Sequence, residues 1–228
     1  MDKKTIASMI DHAVLKPDAT DEELRIECEL ASKYGVATVC VKPCHVSAAS
    51  VLLKNSGVKV STVIGFPHGS ATTSCKVYEA REAIENGAEE LDMVINLGKL
   101  KSGDYDYVRE DIKSVADAAH ALNVLVKVIL ETALLSDDLI TEASRLAEEA
   151  GADYVKTSTG FNGRGASLED VELMRNTVSP KVRIKASGGI KNLEQALKFA
   201  NAGCLRLGTS GTVNILSDES EEIPGNEY

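Results

Sequence analysis

The chain has 228 residues, 43% hydrophobic and 26% charged, which suits one large globular domain. It has no Trp and few aromatics, so its core must be built mostly from Val, Ile, Leu and Ala. The formal net charge is −10, and half of it falls in the stretch from Ser217 to Tyr228, which argues against a nucleic-acid or anionic-membrane partner. An anionic small substrate would therefore need a local cationic or amide-lined pocket.

Short Val/Ile-rich runs alternate with longer amphipathic stretches along the chain. The runs are Ser8–Ile10, Thr38–Val41, Lys59–Ile64, Glu90–Ile95, Leu125–Leu130, Asp153–Lys156, Arg183–Ala186 and Cys204–Leu207, eight candidate strands. Between them, 20–35, 72–88, 104–123, 136–152 and 167–178 read as helices. Thr20 with Glu23, and Ser167 with Asp170, carry the spacing of helix N-caps. Gly35, Gly57, Gly87, Gly151 and Gly203 stand where helices give way to the next strand. Eight strand–helix units in about 200 residues predict a single α/β domain, a closed (β/α)8 TIM barrel over 1–216. An open doubly wound sheet is the alternative, weakened by the lack of a G-x-G-x-x-G after the first strand. The acidic segment 217–228 reads as a mobile tail.

Five scattered cysteines (Cys28, Cys40, Cys44, Cys75 and Cys204) form no C-x-x-C pair, which points to a reducing, cytoplasmic setting. No run approaches the ~18 apolar residues of a membrane span, and the N-terminus lacks a secretory h-region.

In such a barrel the C-terminal ends of strands carry chemistry. Asp11-His12, Cys40, Asp92, Lys127 with Glu131, Lys156 and Lys185 all fall at or near the ends of apolar runs. Three lysines on strands five, six and seven suggest a shared polar centre. If Lys156 and Lys185 meet at the mouth, like charge and desolvation lower the pKa of one amine. A neutral amine attacks a carbonyl to form a Schiff base, with Asp92 placed to shuttle protons. Lys127 is expected to pair with Asp92 and Glu131. Gly188 and Gly189 after strand seven, and Gly208 and Ser210 after strand eight, match the recurring phosphate site of barrels, with Gly160 adding a flexible amide.

Eight pieces, IDHAVLKPDAT, VCVKP, VIGFPHG, ELDMVINLG, VKVILET, DYVKTSTGF, IKASGGI and LRLGTSGT, run in order from Ile10 to Thr212 and resemble the deoxyribose-phosphate aldolase family. The resemblance implies a class I aldolase that cleaves 2-deoxy-D-ribose 5-phosphate reversibly to D-glyceraldehyde 3-phosphate and acetaldehyde. The iminium supplies the electron withdrawal, so no metal and no cofactor are implied. By position it makes Lys156 the Schiff-base lysine, Lys185 the lysine that perturbs it and Asp92 the catalytic aspartate. Lys127 is implied as the partner of Asp92, and Asp11 and Cys40 as pocket walls. Gly160, Gly188, Gly189, Gly208 and Ser210 are implied as phosphate contacts. It also implies a homodimer or homotetramer acting on a small phosphorylated sugar or aldehyde.

Phe161 and Gly211 stand where some members carry a lysine and a second serine, and Arg164 is a candidate to compensate. Tyr228 matches a terminal tyrosine of some members that helps proton transfer.

Three rival readings remain open at the level of sequence. His12, His45 and His68 follow early strands and could serve a metal-dependent barrel enzyme, but no H-x-H or carboxylate cluster accompanies them. A phosphate-binding isomerase would use the last two loops without Lys156. A non-enzymatic sugar-phosphate-binding regulator would leave the lysine pair unexplained.

Overall fold

A computed structural model describes residues 1–217. Eight strands, β1 (Ile10–Val14), β2 (Thr38–Val41), β3 (Lys59–Ile64), β4 (Glu90–Val94), β5 (Leu125–Ile129), β6 (Tyr154–Lys156), β7 (Arg183–Ser187) and β8 (Cys204–Thr209), close into one parallel barrel in chain order. The helices follow as α1 (Lys3–Ala7), α2 (Asp21–Tyr34), α3 (Val46–Leu52), α4 (Thr73–Glu85), α5 (Leu97–Lys101), α6 (Tyr105–His120), α7 (Asp137–Glu149), α8 (Leu168–Thr177), α9 (Leu193–Asn201) and α10 (Thr212–Leu216). Parallel strands need long crossovers, and the amphipathic stretches supply them; their helices cover the outer face of the barrel, while strand side chains fill the inner one.

The helix ends follow from local chemistry. Thr20 and Glu23 form a reciprocal capping box at the start of α2, and Gly35 ends that helix in the left-handed region at φ 63°. Ser167 accepts a hydrogen bond from the Asp170 N–H and caps α8. Each such cap contributes about 1 kcal/mol.

Two layers of core result. Outside the barrel, Leu, Ile, Val and Ala from helices pack on the strands; Leu91, Met93, Val108, Ile112 and Val115 are fully buried there. Inside, the centre is polar: Asp11, Glu90, Asp92, Lys127, Lys156 and Lys185 are all buried. A further buried ion pair stands behind the wall. Lys76 of α4 donates to Asp111 of α6 at 2.5 Å and to the Val94 carbonyl at the end of β4 at 2.9 Å.

β1 corrects the sequence reading. The strand runs from Ile10 to Val14, not over Ser8–Ile10, because Ser8 belongs to the C-cap of α1. Asp11 is therefore an inner residue of the strand rather than its end. β8 also breaks simple alternation. Ile184 pairs with Cys204 but Lys185 pairs with Arg206, so Leu205 is an extra residue, 53% exposed, that re-aims Arg206 into the barrel.

Candidate active site

Each functional side chain is set by a strand. In the β6–β7 register Lys156 lies opposite Lys185, and in the β4–β5 register Asp92 lies opposite Lys127. Asp92 is the hub. Its Oδ2 accepts from Lys156 Nζ at 2.8 Å and from Lys185 Nζ at 2.7 Å, and its Oδ1 accepts from Lys127 Nζ at 2.8 Å. Lys185 also donates to Asp11. Lys127 reaches Glu90 at 2.7 Å and Asp11 at 3.5 Å. Arg206 closes the floor, at 2.5 Å from Asp11 and 2.7 and 2.9 Å from Glu90.

The three lysines are not alike. Burial pushes the Lys156 amine down and Lys185 adds to that, so Lys156 titrates below an ordinary lysine although Asp92 opposes the shift. Burial acts on Lys185 too, but Asp11 and Asp92 outweigh it and hold Lys185 charged above the usual range. Burial likewise opposes the charge on Lys127, yet Asp92, Asp11 and Glu90 together hold it well above the usual range. Burial raises Asp92, but Lys127, Lys156 and Lys185 prevail and keep it ionised, well below the ordinary carboxylate value. Lys156, at the last position of β6, is thus the amine best placed to be free of a proton.

Above this floor opens a cavity of about 360 Å³. Asp11, Cys40, Lys156, Lys185, Gly160, Gly188, Gly189, Gly208 and Ser210 all line it, so the structure brings these sequence-predicted residues together. Lys127 lies beneath, behind Asp92. Gly188 and Gly189 adopt φ of 82° and 79°, which side chains resist, and a Cβ on Gly188 would press on the Gly165 backbone. The Cys40 thiol is pushed up by burial, first, and by Asp92. Phe161 also lines the cavity, edge-to-face with Phe66 at 5.3 Å between centroids.

Two expectations need correction. Glu131 does not pair with Lys127; it turns outward to the loop after β6, accepting from the N–H and hydroxyl of Thr159 and from Asn162 Nδ2. Arg164 does not reach the cavity, because it is held by Asp170 at 2.5 and 3.0 Å. The histidines stand apart: buried His12 contacts Thr212 and Glu27, while His45 lies 3.6 Å from Asp21. Tyr228 lies outside the described residues. Among the described residues, no three His, Cys, Asp or Glu side chains gather in a metal-holding group. No helix among them is long and apolar enough to cross a membrane.

Sequence reasoning missed Glu90 and Arg206. Glu90 was findable, since it lies two residues before Asp92 and shares its face of β4. Arg206 was not, because the irregularity at Leu205 shifts the parity of β8.

The sequence profile described as DeoC/LacD family aldolase matches residues 5–217. The chain belongs to this aldolase family. It is a carbon–carbon lyase. Among curated relatives of this aldolase, the deoxyribose-phosphate aldolase of Clostridium kluyveri is 53% identical over 217 residues, covering 95% of this chain and 99% of that protein. The deoxyribose-phosphate aldolase of Thermococcus gammatolerans is 53% identical over 213 residues, covering 92% of this chain and 95% of that protein. Among solved structures, the deoxyribose phosphate aldolase of Aeropyrum pernix, described as a unique tetramer, superposes with a TM-score of 0.88 at 35% identity, covering 94% of this chain and 91% of that one.

Proposed function

We propose that this aldolase cleaves 2-deoxy-D-ribose 5-phosphate reversibly to D-glyceraldehyde 3-phosphate and acetaldehyde through a Schiff base on Lys156. The observation that carries this reading is a buried lysine with a lowered pKa at the base of a cavity rimmed by Gly160, Gly188, Gly189 and Gly208. The names of relatives at about half identity support the substrate.

The neutral Lys156 amine adds to C1 of the open-chain sugar, and the carbinolamine loses water to give an iminium. The C3 hydroxyl then gives up its proton, and the C2–C3 electron pair flows into the iminium. D-Glyceraldehyde 3-phosphate departs and an enamine remains. Protonation at C2 and addition of water release acetaldehyde and return the amine. Asp92, held ionised by three lysines, serves as acceptor, directly or through water, rather than as a standing acid. Lys185, held charged beside it, favours the neutral form of Lys156. Lys127, Asp11 and Cys40 shape and brace the floor. Loop amides at Gly160, Gly188 and Gly189, with Gly208 near the end of β8 and the Ser210 hydroxyl, grip the phosphate at the rim.

The same reading makes the protein a homodimer or homotetramer, in line with the tetrameric A. pernix relative, and cytoplasmic, in line with five unpaired cysteines. Borohydride with acetaldehyde is expected to inactivate the protein and leave a two-carbon adduct on Lys156, located by mass spectrometry. Lys156→Ala is expected to abolish cleavage while phosphate binding persists. An adduct elsewhere, no adduct, or undiminished cleavage by the variant would overturn this function.

A further inference from the structure

We propose that Glu90 and Arg206, which touch neither the cavity nor any reacting atom, are positioning residues that set how readily Lys156 gives up its proton. The inference rests on the Schiff-base reading above.

Seven ionisable side chains form one contact network in the barrel: Lys127, Lys156, Lys185 and Arg206 against Asp11, Glu90 and Asp92. With every member charged, the network holds four cations and three carboxylates. One positive charge is in excess in a volume with little water to solvate it, and buried charge without a partner is costly. Lys156 is the member that most easily loses that charge. It contacts one carboxylate, Asp92, whereas Lys127 contacts three and Lys185 and Arg206 two each. It also borders the cavity, where its proton can leave.

The hydrogen bonds give the same sign as the charges. Asp92 is shared by three lysines, so Lys156 receives what the other two leave. Glu90 competes with Asp92 for Lys127, at 2.7 Å against 2.8 Å. Arg206 shares Glu90 with Lys127 and Asp11 with Lys185. Without Arg206, Glu90 and Asp11 engage the two lysines more fully, Asp92 turns to Lys156, and its amine keeps its proton. Without Glu90, Lys127 leans on Asp92 and Lys156 loses its support.

Other titratable groups face Lys156 or line its cavity, among them Lys16, Glu23, Glu27 and Lys191 at the mouth, and all of them are the same in every variant compared below. From β2 comes Cys40, held as a thiol by burial. β3 offers no titratable residue except Lys59, which is exposed. Tyr154 of β6 lies lower, its ring 5.8 Å from the Arg206 guanidinium.

The test is the pH dependence of acetaldehyde trapping on Lys156 by borohydride, together with that of kcat/KM for cleavage, in the intact protein. Arg206→Gln is expected to move the midpoint up by about one pH unit, and Glu90→Gln down by a similar amount. The double variant, which removes one charge of each sign, is expected to return close to the starting midpoint, and Arg206→Lys to stay there. A merely structural role would change rates in both single variants without moving the midpoints in opposite directions. Should Arg206→Gln not fold, Glu90→Gln and Arg206→Lys decide: an unmoved or raised midpoint in the first, or a midpoint raised by the second, overturns the proposal. Trapping on Lys156 with unmoved midpoints overturns this inference alone; no trapping on Lys156 in the unaltered protein overturns the proposed function and this inference with it.

Discussion

At Glu131 the backbone enters the left-handed region, with φ 58°, directly after β5, and that turn carries the carboxylate from the strand to the neighbouring loop. It accepts three hydrogen bonds there, and Asn162 links the loop onward to the Pro67 carbonyl. A glutamine could not satisfy the same three donors, since its amide nitrogen would face one of them. An unsatisfied buried group costs about 1–3 kcal/mol. Glu131→Gln is therefore expected to raise KM for the phosphorylated sugar roughly 5-fold or more, while acetaldehyde trapping on Lys156 continues. Steady-state kinetics with and without the phosphate would check this, and an unchanged KM would contradict it. The sequence placed Glu131 near Lys127 because both end the same apolar run; a single left-handed residue, which carries no sequence signal at a glutamate, separates them. Lys156 and Lys185 were legible for the opposite reason. Lys156 ends the apolar run of β6, Lys185 interrupts that of β7, and the parallel register leaves little choice but to set them side by side.

Elements were readable where a run of β-branched residues lies between helix caps. β2 and β3 begin and end where their Val-rich runs predict. β1 was misplaced because its interior is Asp11-His12, and polar residues read as a strand's end unless the barrel centre is known to be charged. The loop after β3 is held by close approach rather than by pattern. Gly69 has φ 68°, its N–H donates to the Gly65 carbonyl at 2.7 Å, and a Cβ there would lie 1.8 Å from the Ile95 carbonyl oxygen. Neither the backbone angle nor the space admits a methyl group. Gly69→Ala is expected to destabilise the fold by about 2 kcal/mol or more, combining left-handed strain with overpacking. Urea denaturation would show it as a lower midpoint; a midpoint unchanged within error would mean that the β4 end yields easily.

Across the whole molecule, an acidic protein of net charge −10 still places four of its 25 Lys and Arg side chains, Lys127, Lys156, Lys185 and Arg206, inside the barrel. That arrangement ties stability to acid. Burial opposes ionisation of Asp11, Glu90 and Asp92, yet the lysines and Arg206 hold all three below their ordinary values of 3.8, 4.5 and 3.8. The unfolded chain therefore takes up protons before the folded one does. The stabilisation from these carboxylates is fully present above about pH 4.5 and is lost as pH falls toward their folded values. Thermal unfolding followed from pH 7 to pH 2 is expected to show a melting temperature that falls steeply below about pH 4.5, and a flat profile down to pH 2.5 would contradict it.

The closed floor has one more consequence, in how the pocket responds to ionic strength. Dissolved ions screen exposed charges within a Debye length of about 8 Å at physiological salt, but they screen buried pairs much less. The rim, where amides at Gly160 and Gly188 face solvent, is open to competing anions. Salt thus acts chiefly on capture of the phosphate and far less on the reactivity of the Lys156 amine, so the two halves of one cavity answer to different features of the medium.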